Sequence, residues 1–164
     1  MKKVSIRFIE ESDLPLVQEY VSKKQVADTT NVPFPYPANG ALQWFEFVEK
    51  EKEQGNHHPF AILYYEKFAG SISVRIEKNE IGAIDYWVAP PFWNKGVGTR
   101  AAQEAINYAV KELGLKTFET CCLKENPGSG RVLEKNGFRF VKEFEIGSGD
   151  KHEGKKANLY RLEM

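Results

Sequence analysis

The chain has 164 residues, and its 23 lysines and arginines balance 23 aspartates and glutamates, which excludes the broad positive field of a protein built for nucleic acid or an anionic membrane surface. No stretch reaches the roughly 18 uninterrupted apolar residues of a membrane span, and the charged VSIRFIEESD after Met1, Lys2 and Lys3 lacks the apolar run of a signal peptide. A chain of this size hides roughly 70% of its unfolded surface on folding, so one soluble, cytoplasmic domain over residues 1–164 is expected.

VSIRFI alternates apolar and polar residues from Val4 to Ile9, the period of a half-buried strand. Ser12 or Asp13 then caps a helix running to Lys24, with Leu14, Val17, Tyr20 and Val21 as its apolar stripe. In TTNVPFPYPANG, Pro33, Pro35 and Pro37 fix φ and remove donors, which predicts a loop with aromatic side chains to spare. A second helix is predicted from Asn39 or Gly40 to Gln54, with Leu42, Phe45 and Val48 inward and Gly55 ending it. FAILYYE, AGSISVRIE and IGAIDYWVA follow between Phe60 and Ala89, and breaks this short require antiparallel neighbours. Thr99 to Leu113 is amphipathic, with Ala102, Ala105, Ile106, Ala109 and Leu113 on one face and Gly114 as its stop. KTFETCCL makes a strand at 116–123, and the resulting strand–helix–strand unit implies a parallel pair with a right-handed crossover. A short helix from Ser129 to Lys135 and a hairpin, FRFVKEFEI and ANLYRLE around GSGDKHEG, complete the order β-α-α-β-β-β-α-β-α-β-β. The fold class is therefore α/β: a mixed, mostly antiparallel sheet of about seven strands with helices on both faces.

Cys121 and Cys122 are adjacent in a strand, so their side chains point to opposite faces and do not bridge; they are read as reduced packing residues. His57 and His58 are consecutive and His152 sits in a polar loop, none at metal-ligand spacing, so no metal is expected.

The densest signal is WNKGVGTR, residues 93–100. Gly96 and Gly98 let the backbone turn sharply and bring its amides close to a ligand, and a helix begins directly behind them. Helix N-termini carry unpaired N–H groups and positive potential, which suits a phosphate, and Lys95 and Arg100 add two cations. A tight strand-to-helix turn with no ligand would use the same glycines. The P-loop order, Gly-Lys followed by Ser or Thr, is not met, because Lys95 precedes Gly96. Gly96-Val97-Gly98-Thr99-Arg100-Ala101 does spell the dinucleotide fingerprint, with Glu119 near the distance of a ribose-binding acid. Yet PPFWNK intervenes after Ala89, antiparallel strands precede the motif, and too few residues follow for a second nucleotide half.

With the segments IRFIEESDLPLVQEYVS, VPFPYP, IDYWVAPPFWNKGVGT and ENPGSGRVLEKNGFRFV in view, the sequence resembles the GCN5-related N-acetyltransferases (GNAT) along nearly its whole length. It is most similar to the branch that acetylates N-terminal amines of ribosomal proteins. The family's loop is Gln or Arg, two variable residues, Gly, one variable residue, then Gly or Ala; Trp93 departs from the first position but suits this branch. Arg100 and Asp85 stand where the branch usually has Glu and Gly. The resemblance implies acetyl-coenzyme A as cosubstrate, its pyrophosphate on the amides of Lys95, Gly96, Val97, Gly98 and Thr99, with Arg100 alongside. It further implies a pantetheine arm paired with the edge at Tyr86, Trp87 and Val88, as an added strand pairs. Asn126 would hydrogen-bond the pantetheine region, Ser129 would donate to the leaving sulfur, and VPFPYP with Trp44 and Phe45 would form an acceptor wall. The same Asn126 and Ser129 also read as an ordinary helix start, and the aromatics as lid packing. A homodimer is common in the family.

Acetyl transfer needs a neutral amine, and a terminal amine of pKa near 8 is about one-tenth neutral at pH 7, against about one in 2,500 for a lysine. Asp85, Glu119 or a water could serve as base. The expected function is acetyl transfer to the α-amine of a protein or peptide. The alternatives are a small amine (polyamine, amino acid or antibiotic) and a non-catalytic acyl-coenzyme A sensor.

Overall fold

A computed structural model describes residues 2–164. Among them seven strands form one sheet: β1 (Val4–Phe8), β2 (His57–Tyr64), β3 (Lys67–Ile76), β4 (Gly82–Val88), β5 (Thr117–Leu123), β6 (Arg139–Glu145) and β7 (Lys156–Glu163). Their order is β1-β2-β3-β4-β5-β7-β6. Every neighbouring pair is antiparallel except β4 and β5, the pair joined through a helix, as the strand–helix–strand pattern requires. The helices are α1 (Leu14–Val21), α2 (Lys24–Ala27), α3 (Gly40–Glu53), α4 (Val97–Leu113) and α5 (Pro127–Lys135).

Two apolar layers follow from the strand alternation. On one face α4 and α5 cover Phe60, Ile62, Ile72, Val74, Ile84 and Phe118, and Ala101, Ala102, Ala105 and Ala109 of α4 are fully buried there. Four alanines let that helix lie close against the strands. On the other face α1 and α3 supply Leu14, Val17, Val21 and Ala41 against Ile9, Ala61, Leu63 and Phe68. No helix among the described residues is long and apolar enough to cross a membrane.

Several boundaries differ from the sequence reading, three of them for a local reason. The first helix stops at Val21, where the Ser22 hydroxyl donates back to the Gln18 carbonyl at 2.5 Å, a bond that bends helices; α2 is a separate turn. Strand β2 begins at His57, because Pro59 lies beyond the last β1 pair, Phe8 with Phe60, where a missing N–H costs little. Helix α5 begins at Pro127, a first-turn position whose N–H has no helical partner in any case.

The β6–β7 connection crosses to the opposite end of the sequence. Lys151 Nζ donates to the carbonyls of Ala27, Thr30 and Val32, and the His152 ring meets the Thr30 carbonyl at 2.8 Å. Part of the GSGDKHEG turn thereby clasps the segment that follows α2.

Candidate active site

The two parallel strands touch at one register pair, Gly82 with Phe118. Gly82 permits it, since a Cβ there would lie 2.7 Å from the Phe118 ring. Beyond that point β4 and β5 part. The Thr120 hydroxyl donates to the Ile84 carbonyl at 2.8 Å, a side-chain stitch where a backbone bond would otherwise be. Ile84 therefore faces the gap, and strand alternation turns the backbone of Tyr86 and Val88 to the same side. The Trp87 carbonyl points the other way, toward Gly70 of β3. Of the edge expected at residues 86–88, Tyr86 and Val88 lie on the gap, and the Trp87 indole packs on the far face near Phe68. The gap-side carbonyl of Val88 accepts from the Trp93 indole N–H at 2.6 Å, which anchors the glycine loop to the end of β4.

That loop enters α4 through two left-handed residues, Asn94 (φ 61°) and Gly96 (φ 75°). Gly96 is the N-cap and has no side chain to offer, and the first helical bond runs from Arg100 N–H to the Gly96 carbonyl. The N–H groups of Val97, Gly98 and Thr99 thus open the helix with no side-chain cap. Lys2, Lys3, Val4, Lys95, Gly96 and Arg100 line a depression of about 350 Å³ at this helix end. Arg100 leans back along the helix to Glu104 at 3.5 Å, whereas Lys95 has no ion pair among the described residues. Uncapped amides beside cations have the chemistry to receive an anion such as a diphosphate.

Asn126 caps α5: its side chain and its carbonyl both accept from Ser129 N–H, at 3.4 and 3.2 Å. The Ser129 hydroxyl is left for other work. It lies 3.0 Å from Tyr86 Oη of β4, and the helix start that carries it packs against β5, where the Cys122 thiol lies 4.0 Å from a Cβ built on Gly130. Burial pushes the Tyr86 hydroxyl up to about 12, with the Ser129 hydrogen bond opposing. Burial likewise pushes Cys122 up to about 11, so both groups stay protonated at neutral pH. Sequence reasoning assigned Tyr86 a backbone role and missed its hydroxyl. A usable signal existed, because alternation turns residue 86 toward the α4 face, and a tyrosine packed there needs a hydrogen-bond partner.

On the opposite face, Arg75 grips both oxygens of Asp85, one at 3.2 Å, and also reaches Glu77. Arg161 pairs with Glu119 and with Glu163, the latter at 2.7 Å. Neither strand carboxylate stands free. Cys121 is exposed, in contrast to the packing role expected of it. Trp44, Phe45 and Tyr36 are partly buried against the α1 core, with the Tyr36 ring over Gly40, while Phe34 is half exposed. No group of three or more His, Cys, Asp or Glu among the described residues is placed to hold a metal.

The same overall fold recurs in solved structures. A RimL ribosomal L7/L12 α-N-protein acetyltransferase in complex with coenzyme A superimposes with a TM-score of 0.88 at 18% identity, over 100% of this chain and 96% of that one. A spermidine N-acetyltransferase from Vibrio cholerae, in complex with coenzyme A and spermine, superimposes at 0.84 with 16% identity, over 98% and 95%. At such identities the likeness defines a shared fold. The family model for the acetyltransferase (GNAT) domain matches residues 3–139, and the chain belongs to that family. Among curated relatives, YdaF of Bacillus subtilis (strain 168), a ribosomal N-acetyltransferase by name, is 35% identical over 79 residues, which span 47% of this chain and 43% of that protein. YjcK of the same organism, an N-acetyltransferase by name, is 31% identical over 97 residues, spanning 57% and 54%. The aligned stretches thus cover about half of each relative.

Proposed function

We propose that the protein transfers an acetyl group from acetyl-coenzyme A to the α-amine of a protein or peptide. The observation that carries this reading is the Ser129 hydroxyl, free of capping duty and 3.0 Å from Tyr86 Oη on the strand that parts from β5. The residues present fit the cosubstrate: uncapped amides at Val97–Thr99 and the cation of Lys95 suit a diphosphate, and the gap-facing backbone of Tyr86 suits an amide-bearing arm. Acetyl-coenzyme A supplies the activated acyl carbon and a thiolate leaving group. The amine nitrogen bonds to that carbon, the C–S bond breaks with its electron pair left on sulfur, and the surplus amine proton goes to water. Ser129 donates to the sulfur as charge develops there.

The acceptor class follows from the opposite face. Asp85 and Glu119 are engaged by Arg75 and Arg161, so neither strand carboxylate is open to hold the distal ammonium of a polyamine or to strip a lysine of its proton. A terminal α-amine, about one-tenth neutral at pH 7, has the least need of either service. The name of YdaF supports the same class.

Release of free coenzyme A tests the reading with three acceptors: a peptide with a free N-terminus, the same peptide blocked at its terminus but carrying a lysine, and spermidine. Release is expected with the first alone. Release with spermidine would transfer the assignment to small amines, and coenzyme A binding without release from any acceptor would make the protein a sensor.

A further inference from the structure

One tyrosine side chain spans the distance from the glycine loop to the helix-start serine. The nearest atoms to a Cβ built on Gly98 are Tyr86 Cε2 and Val132 Cγ2, both at 3.5 Å, so the tyrosine ring edge lies against the second loop glycine. Its hydroxyl lies 3.0 Å from Ser129 Oγ. Resting on the acetyl-transfer reading above, we infer that Tyr86 is a positioning residue for that reaction. Its hydroxyl donates to Ser129 Oγ and so aims the serine's own proton at the departing sulfur.

The direction of the bond follows from what each group can do. A serine hydroxyl has one proton and two lone pairs, and it rotates to suit its neighbours. Were Ser129 the donor to Tyr86, no serine proton would remain for the gap. With Tyr86 as donor, the Ser129 proton is free to turn toward sulfur. Burial at about 12 keeps the tyrosine protonated through the working pH range. The same burial bars it from acting as the proton source, since an ordinary thiol near 8.5 lies roughly 3 units lower and transfer would run uphill. The proton balance is therefore simple. Tyr86 keeps its proton, Ser129 lends a hydrogen bond, and the thiolate takes its final proton from water.

The test is steady-state kinetics on the whole protein as wild type, Tyr86→Phe, Ser129→Ala and the double variant, with coenzyme A affinity by calorimetry and a thermal melt for each. Tyr86→Phe is expected to lower kcat about tenfold, the ratio set by one hydrogen bond, with KM for acetyl-coenzyme A and the affinity for coenzyme A unchanged. In the Ser129→Ala background it should cost nothing more, because its effect runs through the serine. Full activity of Tyr86→Phe overturns the inference. So does an equal loss on top of Ser129→Ala, or a loss confined to KM with weaker coenzyme A binding. If wild type releases no coenzyme A with any amine, the acetyl-transfer reading falls and the role of Tyr86 falls with it; if wild type turns over and Tyr86→Phe matches it, the positioning role alone is lost.

Discussion

His57 lies at the start of β2, is buried, and has an Nε2 with no hydrogen-bond partner among the described residues. Burial lowers its pKa below the usual 6.5, against a weaker upward pull from Asp85, and burial lowers His58 as well. Below about pH 6.5 the unfolded chain then binds protons that the folded one refuses, so stability falls with pH until the folded values are passed. Melting temperature is expected to drop between about pH 7.5 and pH 5.5. His57→Leu should shrink that drop without loss at the higher pH, because it removes an unpartnered polar atom; an unchanged drop would clear His57 of the effect. At this scale the sequence showed the residues but not their partners. Asn126 and Ser129 were legible as a helix start from NPGS alone, and capping is what Asn126 does. The Tyr86–Ser129 contact joins residues 43 apart, and the Arg75–Asp85 pair joins residues 10 apart across two strands. Neither pairing exists until the sheet register is set.

Elements are decided by local rules, and the glycine loop divides into two different demands. Gly96 sits at φ 75° with nothing within 4 Å of a built Cβ, so alanine there meets only backbone strain, about 1–2 kcal/mol. Gly98 lies within α4 at an ordinary angle, and a Cβ would find contacts of 3.5 Å, so alanine should gain about 1 kcal/mol in helix propensity. Urea unfolding should therefore move in opposite directions for Gly96→Ala and Gly98→Ala, and movement in the same direction would refute this division. Helix and strand identities were readable from periodicity throughout, including the alanine face of α4. Three boundaries failed where one side chain or one proline intervened: Ser22 behind α1, Pro59 inside β2, Pro127 at the head of α5; the starts of α4 and β3 lie two residues earlier than periodicity placed them.

For the molecule as a whole, the parting of β4 from β5 leaves a seven-stranded sheet with one short join in its middle. A ligand that pairs across the gap would stabilise the fold by mass action, about 2.7 kcal/mol at a free concentration 100 times Kd. Coenzyme A should raise the melting temperature and slow amide exchange in β4, and Lys95→Glu should remove most of that gain. Equal melting curves with and without coenzyme A would argue against a cofactor in the gap. The seven strands and the parallel pair were anticipated from the order of elements. The place of the closing hairpin was not, because nothing local says which of its two strands will dock on β5.

It is the later strand that docks. β7 runs between β5 and β6, pairing Thr117–Leu123 on one side and Arg139–Glu145 on the other. During synthesis, β5 must therefore wait for residues 156–163 before it has a neighbour on that side, while β1 to β4 can already pair among themselves. A nascent chain stalled before residue 156 would hold a four-stranded half-sheet and an unpartnered β5 edge open to chaperones or to aggregation. Ser129, proposed above to serve the departing sulfur, lies in the half that assembles last, so activity should begin only once the late strand has closed the sheet.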